Sequence, residues 1–110
     1  METVVVINND QMGHGDRALG QKILATCLRK LYAACRPTAV ILYNAGVKLA
    51  QKDAHVAVEL RLLHDQGVDI LPCGTCADHF EIRDRLFTDT VSNMDEILAT
   101  INKADKVITL

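Results

Sequence analysis

Three short runs of apolar residues stand out along the chain, and each carries few charges. They are Thr3–Asn8, Thr38–Tyr43 and Val68–Pro72, all rich in Val, Ile or Leu. Strands that are apolar on both faces are typical of a parallel sheet that helices cover on each side. The runs therefore predict three strands of such a sheet. A brief strand at Val91 and a last strand over Lys106–Leu110 complete the prediction.

The segments between these runs carry apolar residues at helical spacing. Asp16 is positioned to cap the first helix, and Asn93 with Glu96 three residues on resembles a capping box. We expect Gly20 to let the first helix approach the sheet closely, and Gly67 to end the second helix. The predicted helices cover about residues 16–34, 53–66 and 77–86, with a last helix that opens at 93.

The alternation of strands and helices predicts one α/β domain over residues 1–110, with an open, doubly wound, mostly parallel sheet of about five strands. In such sheets ligands bind outside the carboxyl ends of the strands, near the point where the strand order reverses. The predicted loops at these ends concentrate glycine, asparagine and paired cysteines, unlike the loops at the opposite edge. They are Asn8–Asp16, Asn44–Lys48, Cys73–Cys76 and Ser92–Asn93.

The composition narrows the classes of function. The 12 basic and 14 acidic residues are interspersed, so no basic stripe supports nucleic-acid binding. The apolar runs are too short to span a bilayer, and the start lacks the pattern of a signal peptide. We therefore expect a cytoplasmic protein without nucleic-acid or membrane partners. In a reducing compartment its four cysteines are not expected to form a disulfide framework.

The cysteines fall into two kinds. Cys27 and Cys35 are interpreted as small residues packed in or near the core. Cys73 and Cys76 form a CxxC between a strand and a helix, where helix N-terminal amides stabilise a thiolate. Two such thiols can form a disulfide, or one can carry a transferred sulfur while the other assists or resolves it. The alternative is that both are merely small residues in a tight turn.

The order of the two CxxC cysteines stays open. Cys73 is our first choice as the nucleophile because it ends a rigid strand, and the reverse order applies if Cys76 has the lower pKa. His79 extends the motif to Cys-x2-Cys-x2-His, but no fourth zinc ligand follows. We therefore interpret His79 as a surface residue and expect neither a metal nor a cofactor.

The remaining loops supply candidate substrate-binding residues. The loop around Gly13 and Gly15 resembles a phosphate cradle only loosely, because it lacks the third glycine of a dinucleotide fingerprint and the Gly-Lys-Ser/Thr of a P-loop. We interpret it as a wall of the cysteine pocket, or else as a flexible turn. Lys48 is either a positive charge for a thiolate or a solvated lysine. The candidate substrate-binding residues are Asn8, Gly13, Gly15, Asn44, Lys48, Gly74 and Thr75.

In several segments the sequence resembles the DsrE/DsrF-like family. It is most similar there to the YedF-type branch, whose members are sulfurtransferase-like proteins linked to selenium metabolism. Glu81 stands where relatives often have glycine. The segments that carry the resemblance are Asp10-Gln11-Met12-Gly13-His14-Gly15-Asp16, Leu19-Gly20, Tyr43-Asn44-Ala45-Gly46-Val47-Lys48-Leu49, Gly67-Val68, Cys73-Gly74-Thr75-Cys76 and Val91-Ser92-Asn93-Met94.

The resemblance implies a three-layer α/β/α fold and a role in intracellular sulfur or selenium handling. It further implies a cysteine persulfide on the loop after the third strand, sulfur-donor or sulfur-acceptor proteins as partners, and assembly into homo-oligomers. The sequence itself also favours an oligomer, because Val58 and Leu62 form an apolar strip beside the predicted buried face of the second helix.

Three functional hypotheses follow. The leading one is a sulfur-relay protein that carries sulfane sulfur, or selenium, on the CxxC loop. The alternative is a regulatory module that binds a flavin, a nucleotide or another small molecule without turnover. A thioredoxin-type disulfide reductase is the third hypothesis, although the chain opens with a different architecture and offers no evident cis-proline.

Overall fold

The computed structural model describes residues 2–110, so Met1, which the predicted domain includes, lies outside the described residues. Four strands alternate with four α-helices and two 3₁₀-helices. In chain order the elements are β1 (Thr3–Ile7), α1 (Arg17–Cys35), β2 (Ala39–Leu42), a 3₁₀-helix (Asn44–Ala50), α2 (Ala57–Asp65), β3 (Asp69–Pro72), α3 (Gly74–His79), a 3₁₀-turn (Arg83–Arg85), α4 (Met94–Lys103) and β4 (Lys106–Thr109).

All four strands are parallel and lie in the order β3-β2-β1-β4. The chain runs outwards from β1 to β3 and then crosses to the other side of β1, so the sheet is doubly wound as predicted. The brief strand expected at Val91 is reduced to one bridge, in which Ser92 pairs with Cys73 beyond β3. It stops there because Asn93 begins to cap α4 at the next residue.

Helices cover both faces of the sheet, which confirms the three-layer arrangement. Alternate residues of a strand point to opposite faces. Val5 therefore packs with the buried residues of α1 and α2, whereas Val4 and Val6 pack with Ile97 of α4 on the other face. Because β1 is central, it is buried along its whole length.

Both predicted helix caps are formed. The Asp16 carboxylate accepts the Leu19 N–H at 2.8 Å, and the Asn93 side chain accepts the Glu96 N–H at 2.9 Å. Gly67 ends α2 with a φ of +93°, as expected for the residue after a helix. None of the helices within residues 2–110 combines the length and apolar character needed to cross a lipid bilayer.

Two helix boundaries differ from the prediction. α2 begins at Ala57 rather than near residue 53, because the Lys52 N–H donates to the Arg85 carbonyl at 2.8 Å and holds the chain before α2 out of helical conformation. α3 begins at Gly74 rather than Ala77 and is short. Local spacing does not reveal either boundary, since both depend on contacts with the segment that follows α3.

Two glycines allow close backbone contacts. At Gly46 a methyl group would overlap the Ile7 carbonyl oxygen, so only glycine lets the 3₁₀-helix after β2 cross the end of β1. The close approach expected for Gly20 exists, but it is to the first loop and not to the sheet. There the Met12 N–H donates to the Gly20 carbonyl at 3.0 Å.

α3 ends at a strained position. Glu81 has a φ of +57°, and the Ile82 N–H donates back to the Ala77 carbonyl at 3.0 Å. This pattern is that of a Schellman motif, in which the left-handed position usually holds glycine. The left-handed backbone conformation at residue 81 favours glycine, which is the residue that the resemblance led us to expect there in relatives.

Glu81→Gly is expected to stabilise the protein. The left-handed conformation costs an ordinary residue about 1–2 kcal/mol, of which glycine's extra chain entropy offsets about 0.5–1 kcal/mol. Urea denaturation should show a free energy of unfolding that is higher by about 0.5–1 kcal/mol. Glu81→Ala keeps the strain and serves as the control. An equal gain in the alanine variant would contradict the explanation.

The homo-oligomer expected from the sequence stays a prediction. Val58 and Leu62 are 68% and 56% exposed on α2, so the domain itself does not bury them. Light scattering after size exclusion should give a mass well above the 12.1 kDa of one chain, and Leu62→Glu should lower it. Leu98, which is 58% exposed on α4, provides the matched control Leu98→Glu. A monomeric wild-type protein would defeat the prediction.

Candidate functional site

The CxxC turn lies where the carboxyl ends of β2 and β3 meet. The Cys73 N–H donates to the Leu42 carbonyl at 2.9 Å, which extends the β2–β3 ladder by one bond. Asn44 follows β2 at the same edge. The site is therefore at the sheet edge that the sequence predicted, although it lies beside β2 and β3 rather than at the reversal of strand order between β1 and β4.

Cys73 is shut off from solvent. Its residue surface is only 4% exposed, and it belongs to the apolar cluster between the sheet and α4. The backbone on both sides is fixed, because the Gly74 N–H donates to the Ser92 carbonyl at 2.8 Å and the Ser92 N–H donates to the Pro72 carbonyl at 2.7 Å. A molecule arriving from solvent therefore has little access to the Cys73 thiol.

Cys76 is the more accessible thiol. It lies half-buried in the first turn of α3 and lines an open cavity of about 320 Å³. This volume is at the lower end of the range for small-molecule sites, roughly 300–1,000 Å³. Solvent therefore has better access to Cys76 than to Cys73, which was the first choice as nucleophile from the sequence. The residues lining the cavity are Asn44, Thr75, Cys76, His79 and Phe80.

A backbone amide contacts the Cys76 sulfur directly. The Asn44 N–H donates to Cys76 Sγ at 3.1 Å. Asn44 has a φ of +51°, a left-handed conformation that asparagine tolerates better than most residues. This bond orients the sulfur and favours its thiolate form.

Burial outweighs that bond in setting the pKa of Cys76. Desolvation is the largest effect and raises the pKa above that of an ordinary cysteine. The Asn44 N–H lowers it in part, whereas the neighbouring Cys73 raises it further by hydrogen bonding and charge. The low pKa expected for a thiol at a helix N-terminus is therefore not found, and burial instead favours the neutral thiol form of Cys76.

Lys48 does not line the cavity itself, but it contacts Phe80, which does. Its ammonium is 4.5 Å from the centroid of the Phe80 ring, within the range of a cation–π interaction. Lys48 also acts on Asp10, whose pKa is lowered chiefly by its hydrogen bond with Arg17. The Asp10–Arg17 ion pair measures 2.7 Å. The lysine is thus a positioned charge beside the cavity.

The structure brings together only some of the predicted binding residues. Asn44 and Thr75 line the cavity, and Gly74 is buried behind it. Asn8 is exposed after β1. The first loop does not form a wall of this cavity, because Gly13 and Gly15 line a separate one of about 220 Å³.

The first loop is also poorly suited to a phosphate. The Asp16 carboxylate already accepts an N–H at the start of α1 and places a negative charge there. A phosphate would compete with that carboxylate for the positive end of the helix. This arrangement weighs against the nucleotide-binding alternative.

His79 and Phe80 are cavity residues that the sequence analysis did not include. They stand three and four residues after Cys76, so a helix places all three side chains on one face. This spacing of three and four residues from Cys76 could have indicated from the sequence that His79 and Phe80 lie beside it. Among residues 2–110, no group of three or more His, Cys, Asp or Glu side chains is arranged to hold a metal ion.

Comparison with known proteins places the chain in context. A family model described as the DsrE/DsrF-like family matches residues 3–110. The structure is similar to that of the YchN protein from E. coli, with 21% identity, 100% of both chains covered and a TM-score of 0.71. It is also similar to the protein of unknown function MTH1491 from Methanobacterium thermoautotrophicum, with 21% identity, 99% of this chain and 98% of that chain covered, and a TM-score of 0.68. A search of curated proteins finds no significant match.

Removal of Cys73 should make Cys76 more reactive near neutral pH. Cys73→Ala deletes two effects that raise the pKa of Cys76, so a larger fraction of Cys76 becomes thiolate at a given pH. Alkylation by iodoacetamide, followed on the Cys76 peptide by mass spectrometry, should show a pH–rate profile shifted to lower pH. Cys27→Ala should leave the profile in place. An unmoved profile in Cys73→Ala would show that the two thiols do not interact.

Proposed function

The chain belongs to the DsrE/DsrF-like family, and on that premise we propose that it is a sulfur-relay protein in which Cys76 carries sulfane sulfur as a persulfide. The observation that carries the proposal is the position of Cys76. Its sulfur accepts the Asn44 N–H and lines the cavity at the end of the sheet. Donors and acceptors of sulfur, most simply other thiol proteins, are the partners that this chemistry requires.

The transfer is an exchange between sulfurs. The Cys76 thiolate attacks the outer sulfur of a donor persulfide, a new S–S bond forms at Cys76, and the donor's S–S bond breaks. The donor leaves as a thiolate and takes up the proton that Cys76 gave up. The sulfane sulfur therefore moves without net oxidation or reduction. A second thiol that attacks the same outer sulfur then receives it.

The cavity suits this exchange. Its volume of about 320 Å³ accommodates one added sulfur and the tip of a donor side chain. Asn44 holds the inner sulfur, Thr75 and His79 supply polar groups, and Phe80 supplies an apolar wall. The raised pKa keeps the resting residue as a thiol, which limits its reaction with unrelated electrophiles. Zero-valent selenium would use the same attack, and mass spectrometry separates the two elements.

Sulfur loading tests the proposal most directly in Cys73→Ala, because that variant has a single thiol in the CxxC turn. After exposure to a small persulfide donor, intact mass should show one added sulfur atom, and peptide mapping should place it on Cys76. Cys73→Ala/Cys76→Ala should gain no sulfur in the turn, whereas Cys73→Ala/Cys35→Ala should load as Cys73→Ala does. Equal loading with and without Cys76 would overturn the proposal.

A further inference from the structure

The proposed sulfur-relay function uses Cys76 but gives no role to the Cys73 thiol. Cys73 is only 4% exposed, so neither a donor nor an acceptor in solvent has ready access to its thiol. The side chain of Cys76 packs against the same apolar cluster that contains Cys73. A reaction partner for the buried thiol therefore has to lie inside the protein, and Cys76 is one helical turn away.

The backbone brings the two cysteines within bonding range. The Ala77 N–H donates to the Cys73 carbonyl at 3.0 Å, which closes the first turn of α3 around both residues. Residues three apart on a helix have Cα atoms about 5 Å apart, inside the roughly 4.4–6.8 Å that a disulfide spans. A Cys73–Cys76 bond therefore fits this turn with little movement of the chain.

We propose that Cys73 discharges a sulfur-loaded Cys76 as hydrosulfide, so that the CxxC turn acts as a persulfide reductase as well as a carrier. This inference rests on the proposed function. The inference is based on the positions of Cys73 and of the cavity relative to the Cys76 sulfur. Cys76 lines the cavity, which leaves room on that side for the outer sulfur of a persulfide, whereas Cys73 lies on the buried side, from which it would reach the inner sulfur, Cys76 Sγ.

The discharge step balances without an outside oxidant. Cys73 Sγ attacks Cys76 Sγ, the Cys73–Cys76 disulfide forms, and the bond from Cys76 Sγ to the outer sulfur breaks. The outer sulfur leaves as hydrosulfide with the proton of the Cys73 thiol. The sulfane sulfur gains two electrons, and the two cysteine sulfurs lose them as they become a disulfide.

The open cavity supplies both the exit and the reset. Hydrosulfide departs past Thr75 and His79, which line the cavity mouth beside Cys76. An external dithiol then attacks the accessible Cys76 sulfur of the disulfide, releases the Cys73 thiol, and itself becomes oxidised to a disulfide. The half-buried and buried positions of the two cysteines set the order of these steps.

The test mixes wild-type protein with one equivalent of a small persulfide donor under anaerobic conditions, without a reductant. We expect one hydrosulfide released for each chain that reacts, an intact mass lower by two hydrogens, and a peptide that links Cys73 to Cys76. Cys73→Ala and Cys73→Ser should instead retain the added sulfur and lose the release of hydrosulfide. Cys35→Ala is the matched control and should behave as wild type.

The outcomes separate the two proposals. If Cys73→Ala takes up sulfur and wild type also keeps its sulfur without releasing hydrosulfide, the discharge reaction is overturned and the carrier function stands. If neither protein takes up sulfur at Cys76, the carrier function itself fails. Circular dichroism of both Cys73 variants checks their fold. Even if one variant does not fold, the yields of Cys73–Cys76 disulfide and of hydrosulfide in the wild-type protein show whether the discharge reaction occurs.

Discussion

The close crossing of two backbone segments at Gly46 fixes the geometry on which the site depends. A side chain at this position would overlap the Ile7 carbonyl oxygen, so the 3₁₀-helix after β2 crosses the end of β1 only because residue 46 is glycine. That crossing places Asn44 beside α3, where its N–H contacts Cys76 Sγ. The sulfur is thus oriented by the packing of backbone on the central strand rather than by a flexible side chain.

Competition between burial and hydrogen bonding sets the pKa of Cys76. α3 has only six residues and thus offers few aligned peptide dipoles to a thiolate. Removal of water from Cys76 is the larger effect, and the neighbouring thiol adds to it. In the proposed transfer, a donor that fills the cavity meets the thiol form of Cys76, so the proton leaves as the sulfur arrives.

The sequence predicted those features of the fold that depend on local pattern. The apolar runs marked β1, β2 and β3, and Asp16 and Asn93 cap helices as their spacing indicated. Features that depend on distant contacts were missed. The start of α2 depends on the bond between Lys52 and Arg85, and the fifth strand is reduced to one bridge at Ser92.

In the candidate site, too, features that depend on local sequence were predicted, and features that depend on distant contacts were not. The CxxC and the facing asparagine loop could be found from residue types at the ends of strands. The difference in solvent access between the two cysteines could not be predicted, because α4 and the Ser92 segment cover Cys73 and both are distant in sequence. The first loop was assigned to the cysteine cavity because it follows a strand at the same predicted edge of the sheet. The bond between Met12 and Gly20 instead holds that loop on α1, away from the cavity.

The proposed persulfide on Cys76 can be attacked from two sides. Attack from the cavity would transfer the outer sulfur to an acceptor, and attack by the buried Cys73 would release it as hydrosulfide. An acceptor from solvent reaches the outer sulfur of the proposed persulfide, whereas Cys73 reaches the inner one. The second reaction is intramolecular, and groups held in one turn react at an effective concentration far above that of a free acceptor. If both proposals hold, relay therefore prevails only when an acceptor replaces the departing donor in the cavity before Cys73 attacks. Without such an acceptor the proposed discharge prevails, so the two proposals together make the occupancy of the cavity beside His79 and Phe80 the choice between transfer and release.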